Sequence, residues 1–461
     1  MKKIEEYKKR IKDKKILVVG LGKSGKAATE VLNELGANVV VQDSATKEKI
    51  DDKFLKYLEN NNIQGFYGTV PDELTSYDII VLSPGVPTDL DFICEAKKAG
   101  VEVIGELELA YRLCNGRFIA ITGTNGKTTT TTLVGEIFKA SGRKTSVVGN
   151  IGNPVVSKAV NAGEDEWMIV EASSFQLETI KEFKPMVSSI LNLKPDHLNR
   201  HKTMESYAKA KANIIVNQTK ENFLIINYDD KECLKLADLS KAMVVPFSRK
   251  EKIEIGSYVD NNEIIVKDEK GESHMICKTS DLKIIGSHNL ENSLAAAAIS
   301  YFAGISPEVI GHAITEFPGV EHRIEFCGRV DGIDFYNDSK GTNVDAAMIA
   351  LKALEKNIIL IAGGDGKGQD FTALGKELKD HVIALILLGR DAPVIEKAAR
   401  DAGFNNIFNC KDMSECIRKA YDLAREGDKI LLSPACASWD MYENFEQRGR
   451  HFKDIVKDLL N

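Results

Sequence analysis

Short apolar runs alternate along this chain with longer stretches in which apolar residues recur at helical spacing. A run of four to six apolar residues bounded by glycine or proline reads as a buried strand, and a 3.6-residue period reads as an amphipathic helix. The pattern opens with a short helix carrying Ile4, Tyr7 and Ile11 under a basic, solvated face. Strands are expected at 15–19, 38–41 and 78–82, with a helix at 26–35. Further strands are expected at 118–121, 167–170 and 187–193, followed by a helix over 204–217. Residues 256–282, with turns at 260–262 and 270–271, read as a β-hairpin excursion. An alanine-rich helix follows 286–292, and strands return at 332–337, 357–362, 382–388 and 429–433. Alternation of this kind builds α/β domains around mostly parallel sheets. At 461 residues the chain exceeds one core, and its three runs of alternation divide it at 1–105, 106–318 and 319–461.

In open α/β sheets ligands bind beyond the carboxyl ends of the strands, so the residues there carry the chemistry. After 118–121 comes Gly123-Thr124-Asn125-Gly126-Lys127-Thr128, leading into a threonine-rich helix. A glycine loop between strand and helix aims free backbone N–H groups at a phosphate. Lys127 would reach the terminal phosphates and the Thr128 hydroxyl a magnesium ion. The loop is shorter than the Walker pattern, because Ile121 stands where that pattern has glycine. Strand 167–170 runs into Glu171, and strand 187–193 into Asp196-His197, so oxygen and imidazole ligands could converge on this loop. Taken singly, Glu171 reads equally as a helix cap and His197 as a surface residue. Earlier, Gly20-Leu21-Gly22-Lys23-Ser24-Gly25 lies between strand and helix with Asp43 about 20 positions on, the dinucleotide fingerprint. It suits NAD or another nucleotide diphosphate. Ser83-Pro84-Gly85 forms a rigid turn at a neighbouring strand end. In the last region 337–342, 363–367, 389–390 and 433–438 place polar and small residues along one sheet edge. The first and last regions therefore read as Rossmann-like and the central one as a P-loop-type mononucleotide-binding domain.

Composition narrows the classes. Apolar (43%) and charged (28%) residues are ordinary for a globular protein, and the net charge of -7 lacks the basic footprint of a nucleic-acid binder. Eight scattered cysteines without zinc spacing read as reduced thiols of a cytosolic protein. The N-terminus is too charged for a signal peptide, and no apolar run approaches the ~18 residues of a membrane span. Two phosphate sites and a third polar edge suit ATP-driven joining of a nucleotide-bearing acid to an amine. A dehydrogenase would leave the 123–128 loop and the third domain idle. A non-catalytic nucleotide-binding scaffold would not need Glu171, His197 and a further lysine together.

The stretches GTNGKT (123–128), EASSFQLE (171–178), ILNLKPDHLNR (190–200), GSHNLEN (286–292), NDSKGTN (337–343), GGDGKGQDF (363–371) and LLSPACASWDMYENFEQRG (431–449) resemble the Mur ligase family across all three domains. A folylpolyglutamate-type ligase shares the last two domains but not a UDP-binding first one. The resemblance implies ATP-dependent addition of D-glutamate to UDP-N-acetylmuramoyl-L-alanine, through an acyl phosphate, in a bacterial cytoplasm. The enzyme would be a monomer with no nucleic-acid or membrane partner. UDP-substrate contacts fall on Ser24, Asp43, Ser44, Ser83, Gly85 and Asn150; Ala45 stands where some relatives have a basic residue. ATP contacts fall on Gly123, Thr124, Asn125, Gly126, Lys127, Thr128, Thr129, Asn289, Asn292, His322, Arg323, Asp338 and Lys340. Two magnesium ions would be held by Thr128, Glu171, His197 and a carbamylated lysine placed at Lys211, with Lys209 the competing position. Lys127, Glu171, His197 and Lys211 are thereby the catalytic set. D-Glutamate would meet Thr342, Lys367, Ser438, Trp439 and Phe445, and at Trp439 the family more often has a smaller aliphatic residue.

Overall fold

The computed structural model describes residues 2–460. The chain forms two compact units, Met1–Leu282 with Glu291–Glu316, and Lys283–Leu290 with Phe317–Asn461. The first contains two sheets and the second contains one.

The first sheet is wholly parallel, in the order Gln64–Tyr67, Asn38–Asp43, Lys15–Val19, Ile79–Leu82, Glu102–Gly105. Its direction of winding reverses at Lys15–Val19, which opens a crevice at the carboxyl ends of the central strands. The helix expected at 26–35 starts earlier, at Lys23, with Gly22 as its N-cap. Gly25 therefore lies inside the helix, where a Cβ would come within 1.8 Å of Gly20 O. The fingerprint glycine is there for close packing of helix on strand.

The second sheet has nine strands, in the order Ser273–Lys278, Glu263–Lys267, Gly256–Asp260, Met243–Ser248, Phe223–Asn227, Val187–Ile190, Arg117–Thr122, Trp167–Glu171, Thr145–Gly149. Seven neighbouring strands are parallel, and the outer two pairings are antiparallel. The expected hairpin excursion is thus a three-stranded meander that extends this sheet. It turns through Asn261 and Asn262, whose φ values of 48° and 62° suit a two-residue hairpin loop. The strand expected at 187–193 ends at Ile190, and the helix expected at 204–217 ends at Ala212 before a 3-10 turn at Asn213–Ile215.

Helix Glu106–Leu113 joins the two sheets of this unit. Its Leu107, Leu109 and Ala110 are buried in one core with Val155, Val156 and Ala159. Buried Glu108 accepts backbone N–H groups of Lys181, Glu182 and Phe183 and the Arg112 guanidinium. Glu106 accepts Val156 N at 2.7 Å.

In the second unit, Glu325–Val330 runs antiparallel to Ile333–Asn337, followed by the parallel strands Lys429–Leu432, Ile358–Ala362, Val382–Leu387 and Ile407–Asn409. All eight cysteines are free thiols. Among the described residues no helix is long and apolar enough to cross a membrane.

Candidate functional site

The 123–128 loop is held from three sides. Thr124 N donates to Asn192 O at 3.0 Å, and Asn125 and Asn192 exchange hydrogen bonds of 2.8 and 3.0 Å. The Tyr207 and Thr124 hydroxyls lie 3.2 Å apart. Gly126 caps helix Lys127–Ala140 with φ of 83°, and a Cβ there would fall 2.3 Å from Asn292 Oδ1, so only glycine leaves room for that asparagine. Asn292 also accepts the Thr130 hydroxyl at 3.3 Å. Lys127 Nζ donates to Gly123 O (2.9 Å) and Thr124 O (2.7 Å), folded back over the loop it would leave to meet a phosphate.

Behind the loop lies Lys211, on helix Met204–Ala212. Its ammonium is buried, donating to Gly123 O at 2.8 Å and Thr122 Oγ1 at 3.3 Å, and sits 4.7 Å from the centre of the Tyr207 ring. Burial, then the Lys127 charge, drives its pKa well below the ordinary lysine value. Lys209, the competing position, instead lines a groove with Leu193, Met204 and Leu236.

Glu171 is buried at the end of its strand. Asn150 Nδ2 donates to Glu171 Oε1 at 2.8 Å, while Oε2 is buried without a partner. The Thr129 and Thr131 hydroxyls are also buried and unpartnered. The orphaned Glu171 oxygen, at a strand end, is a hard donor of the kind magnesium takes, so this residue fits that ion. Lys211 as an ammonium does not; as a carbamate it would. His197 is half exposed, 3.5 Å from Asp196 Oδ2 and edge-on to Phe175. Among the described residues no hydrogen bond or ion pair joins it to Glu171 or Lys211.

At the first sheet a cavity of 670 Å³ is lined by Ser24, Asp43, Ser44, Ser83 and Gly85, with Thr69, Val86 and Phe92. Five of the six residues assigned to the UDP substrate meet here; Asn150 is held at Glu171 instead. The Asp43 carboxylate, expected at a ribose, accepts Leu21 N (2.6 Å) and Ala45 N (2.8 Å) and so shapes the turn itself. Arg200 connects this cavity to the His197 loop. Its guanidinium donates to Pro84, Gly85 and Val86 carbonyls at 3.0 to 3.3 Å and to Glu178 at 2.8 Å, over the Phe175 ring. Buried His201 stacks on the same ring and pairs with Ser174 at 2.9 Å. Sequence reasoning assigned no role to Asn192, Arg200 or His201, although the motif contains or adjoins all three.

In the second unit Asn289 Nδ2 donates to Ile285 O at 2.8 Å. His322 has φ of 64° and is buried. Asn337 Oδ1 accepts Ser339 N, so Asn337 Nδ2 donates to His322 Nδ1 at 2.9 Å and the imidazole proton sits on Nε2. That nitrogen, 3.8 Å from Glu321 Oε1, and Arg323 Nε are buried without hydrogen-bond partners. Asp338 accepts the Ser433 hydroxyl at 2.7 Å, and burial pushes its carboxyl up to about 6. Lys340 N donates to His322 O, and its ammonium lies 5.6 Å from the Phe445 ring centre. Thr342 N donates to Lys340 O. His322, Asn337, Asp338, Lys340 and Thr342 form one cluster, with Phe445 beside Lys340. Lys367, buried Ser438 and Trp439 form another, on loops joined by the Asp365–Ala437 bridge. Arg448, buried behind Ser339 and Cys436, lies in the 431–449 stretch, but sequence reasoning gave it no role.

Three family models match: Mur ligase MurD-like, N-terminal domain over residues 14–105, Mur ligase middle domain over 121–300, and Mur ligase, glutamate ligase domain over 322–436. The UDP-N-acetylmuramoylalanine–D-glutamate ligase of Clostridioides difficile is 48% identical, covering 97% of this chain and 99% of that one. The enzyme of the same name from Alkaliphilus metalliredigens is 45% identical over the same shares. Among solved structures, a UDP-N-acetylmuramate–alanine ligase from Thermotoga maritima (TM-score 0.58, 19% identity, 96% of this chain and 99% of that one) shares the fold. A pseudomurein peptide ligase type C from Methanothermus fervidus does so too (0.58, 19%, 97% and 100%).

Proposed function

The chain belongs to the Mur ligase family, and on that premise we propose that it joins D-glutamate to UDP-N-acetylmuramoyl-L-alanine with ATP, in peptidoglycan precursor synthesis. The observation that carries this reading is agreement along the whole chain: relatives 45–48% identical over 97% of it share that one activity in their names. The UDP moiety sits in the cavity at the first sheet, on Ser24, Asp43, Ser44, Ser83 and Gly85. Lys127 turns from the loop carbonyls to the terminal phosphates of ATP, and the loop N–H groups hold the remainder. Asn289, Asn292, His322, Arg323, Asp338 and Lys340 receive the adenosine. The muramoyl-alanine carboxylate attacks the γ-phosphorus, ADP leaves, and the amine of D-glutamate displaces phosphate from the acyl phosphate.

Magnesium, when bound, neutralises the phosphate charge, with Thr128, Glu171, His197 and the carbamate of Lys211 as the residues to hold two ions. Burial prepares Lys211 for this by disfavouring its charged form: the free amine adds carbon dioxide and releases a proton, which turns a buried donor into an acceptor. Asn150 orients Glu171 so that Oε2 remains available. Lys367, Thr342, Ser438, Trp439 and Phe445 take the amino acid. We place the enzyme in the bacterial cytoplasm as a monomer, with divisions at 1–105, 106–318 and 319–461.

Phosphate release from ATP tests the proposal. It should require both UDP-N-acetylmuramoyl-L-alanine and D-glutamate; equal release with L-glutamate, or without the muramoyl compound, contradicts it.

A further inference from the structure

The ammonium of Lys367 lies 4.2 Å from the centre of the Trp439 indole. Among the described residues it has no carboxylate partner. Asp365, two positions away, already accepts Lys367 N at 3.0 Å and the Arg390 guanidinium at 3.2 Å. Trp439 is 64% exposed, an uncommon setting for so large an apolar side chain. Backbone geometry fixes both partners. Asp365 and Ala437 exchange hydrogen bonds of 2.9 and 2.8 Å, tying the two loops into one piece. Gly366 N donates to Asp391 at 2.6 Å, and Lys367 follows with φ of 53°. On the other loop Met441 N and Tyr442 N donate to Ser438 O, and Arg390 N donates to Asp440 at 2.8 Å.

We propose that Trp439 is a positioning residue: it holds Lys367 over its ring so that the ammonium is ready for the side-chain carboxylate of the incoming acidic amino acid. The inference rests on the ligase reading above and assigns that reading's pocket one selectivity device. An exposed lysine samples many rotamers, and a ligand that must order it loses affinity. Holding it with a carboxylate would cancel the charge the ligand needs. A ring face attracts the ammonium without neutralising it and takes up none of its geometry for a second carboxylate. A smaller aliphatic residue at this position would leave Lys367 unordered.

Steady-state kinetics with all three substrates tests this. Trp439→Leu should raise KM for D-glutamate about two- to fivefold, with kcat and the other two KM values unchanged. Trp439→Phe, which keeps a ring, should recover most of that loss. Trp167 is buried, and the chain has two tryptophans, so the difference emission between wild type and Trp439→Phe reports Trp439 alone. That emission should change as D-glutamate is added, and should not in Lys367→Met. An unchanged KM in Trp439→Leu, a Phe variant no better than Leu, or emission indifferent to D-glutamate overturns the proposal while wild-type turnover leaves the ligase reading standing. Wild-type protein that releases no phosphate with D-glutamate overturns both.

Discussion

Lys211 in the first unit and Arg448 in the second are both buried cationic side chains, and neither has a carboxylate within ion-pair distance among the described residues. Each is satisfied by neutral oxygens. Lys211 donates to Gly123 O and Thr122 Oγ1. Arg448 donates to Ser339 Oγ (3.0 Å), Ser339 O (2.8 Å) and Cys436 O (3.1 Å), with Nη1 buried and unpartnered. Burial acts on both in the same direction. The lysine falls well below its usual value, whereas the arginine falls only to about 10 and stays charged at neutral pH. The same environment thus disfavours the charged form of the lysine while leaving the arginine a permanent cation. A lysine can shed its proton and become something else; an arginine can only hold a structure or an anion in place.

Substitutions can break this contrast. Lys211→Arg makes the two sites alike: a guanidinium there cannot form a carbamate. Turnover should fall a hundred- to thousandfold or more, the scale of removing a key electrostatic group, with UDP-substrate binding by calorimetry unchanged. A fully active variant would show that the lysine's neutrality is irrelevant. Arg448→Met removes the fixed donor from Ser339 O and Cys436 O. Folding stability by chemical denaturation should drop by about 3 kcal/mol, since buried carbonyls lose their partner. Asp338, whose ionisation Arg448 favours, should then titrate above its present value of about 6.

An effect of similar size concerns a buried acid whose charged form burial disfavours, as it does that of Lys211. Glu106 is buried with Oε2 unpartnered, and desolvation raises its carboxyl from 4.5 to about 7. Between those values the folded protein holds a proton that the unfolded chain has lost. Its contribution is therefore fully present below about 4.5 and lost as pH rises through about 7, about 3 kcal/mol in all. Glu106→Gln should flatten the fall in thermal stability across that window; an unaltered pH profile would place the ionisation elsewhere.

Central strands and strand-end chemistry were legible because the signal is local. Arg117–Thr122 and Ile358–Ala362 are continuous apolar runs, and the Gly126-Lys127-Thr128 loop follows directly from its strand. Other strands were not, whether at a sheet edge or inside it like Phe223–Asn227 and Met243–Ser248. Met243–Ser248 contains Pro246, Glu325–Val330 contains a glycine at a register shift, and Ile407–Asn409 has three residues. Glu325–Val330 pairs with the strand directly after it, so the irregular register and not sequence distance hides it from the pattern. The candidate site divides the same way. Lys127 and Glu171 were visible from their places at strand ends, but Arg200 gains meaning only from three carbonyls more than 110 positions away. The burial of Lys211 likewise comes from tertiary packing. Spacing alone separated it from Lys209 only with the aid of family resemblance.

The central proposal is that Lys211, whose charged amine burial disfavours, is carbamylated, and carbon-13 NMR of the protein equilibrated with labelled bicarbonate tests it directly. A carbamate resonance should appear in wild-type protein, persist in Lys209→Arg and vanish in Lys211→Arg. No resonance in the wild type, or one lost in Lys209→Arg and retained in Lys211→Arg, would contradict the account.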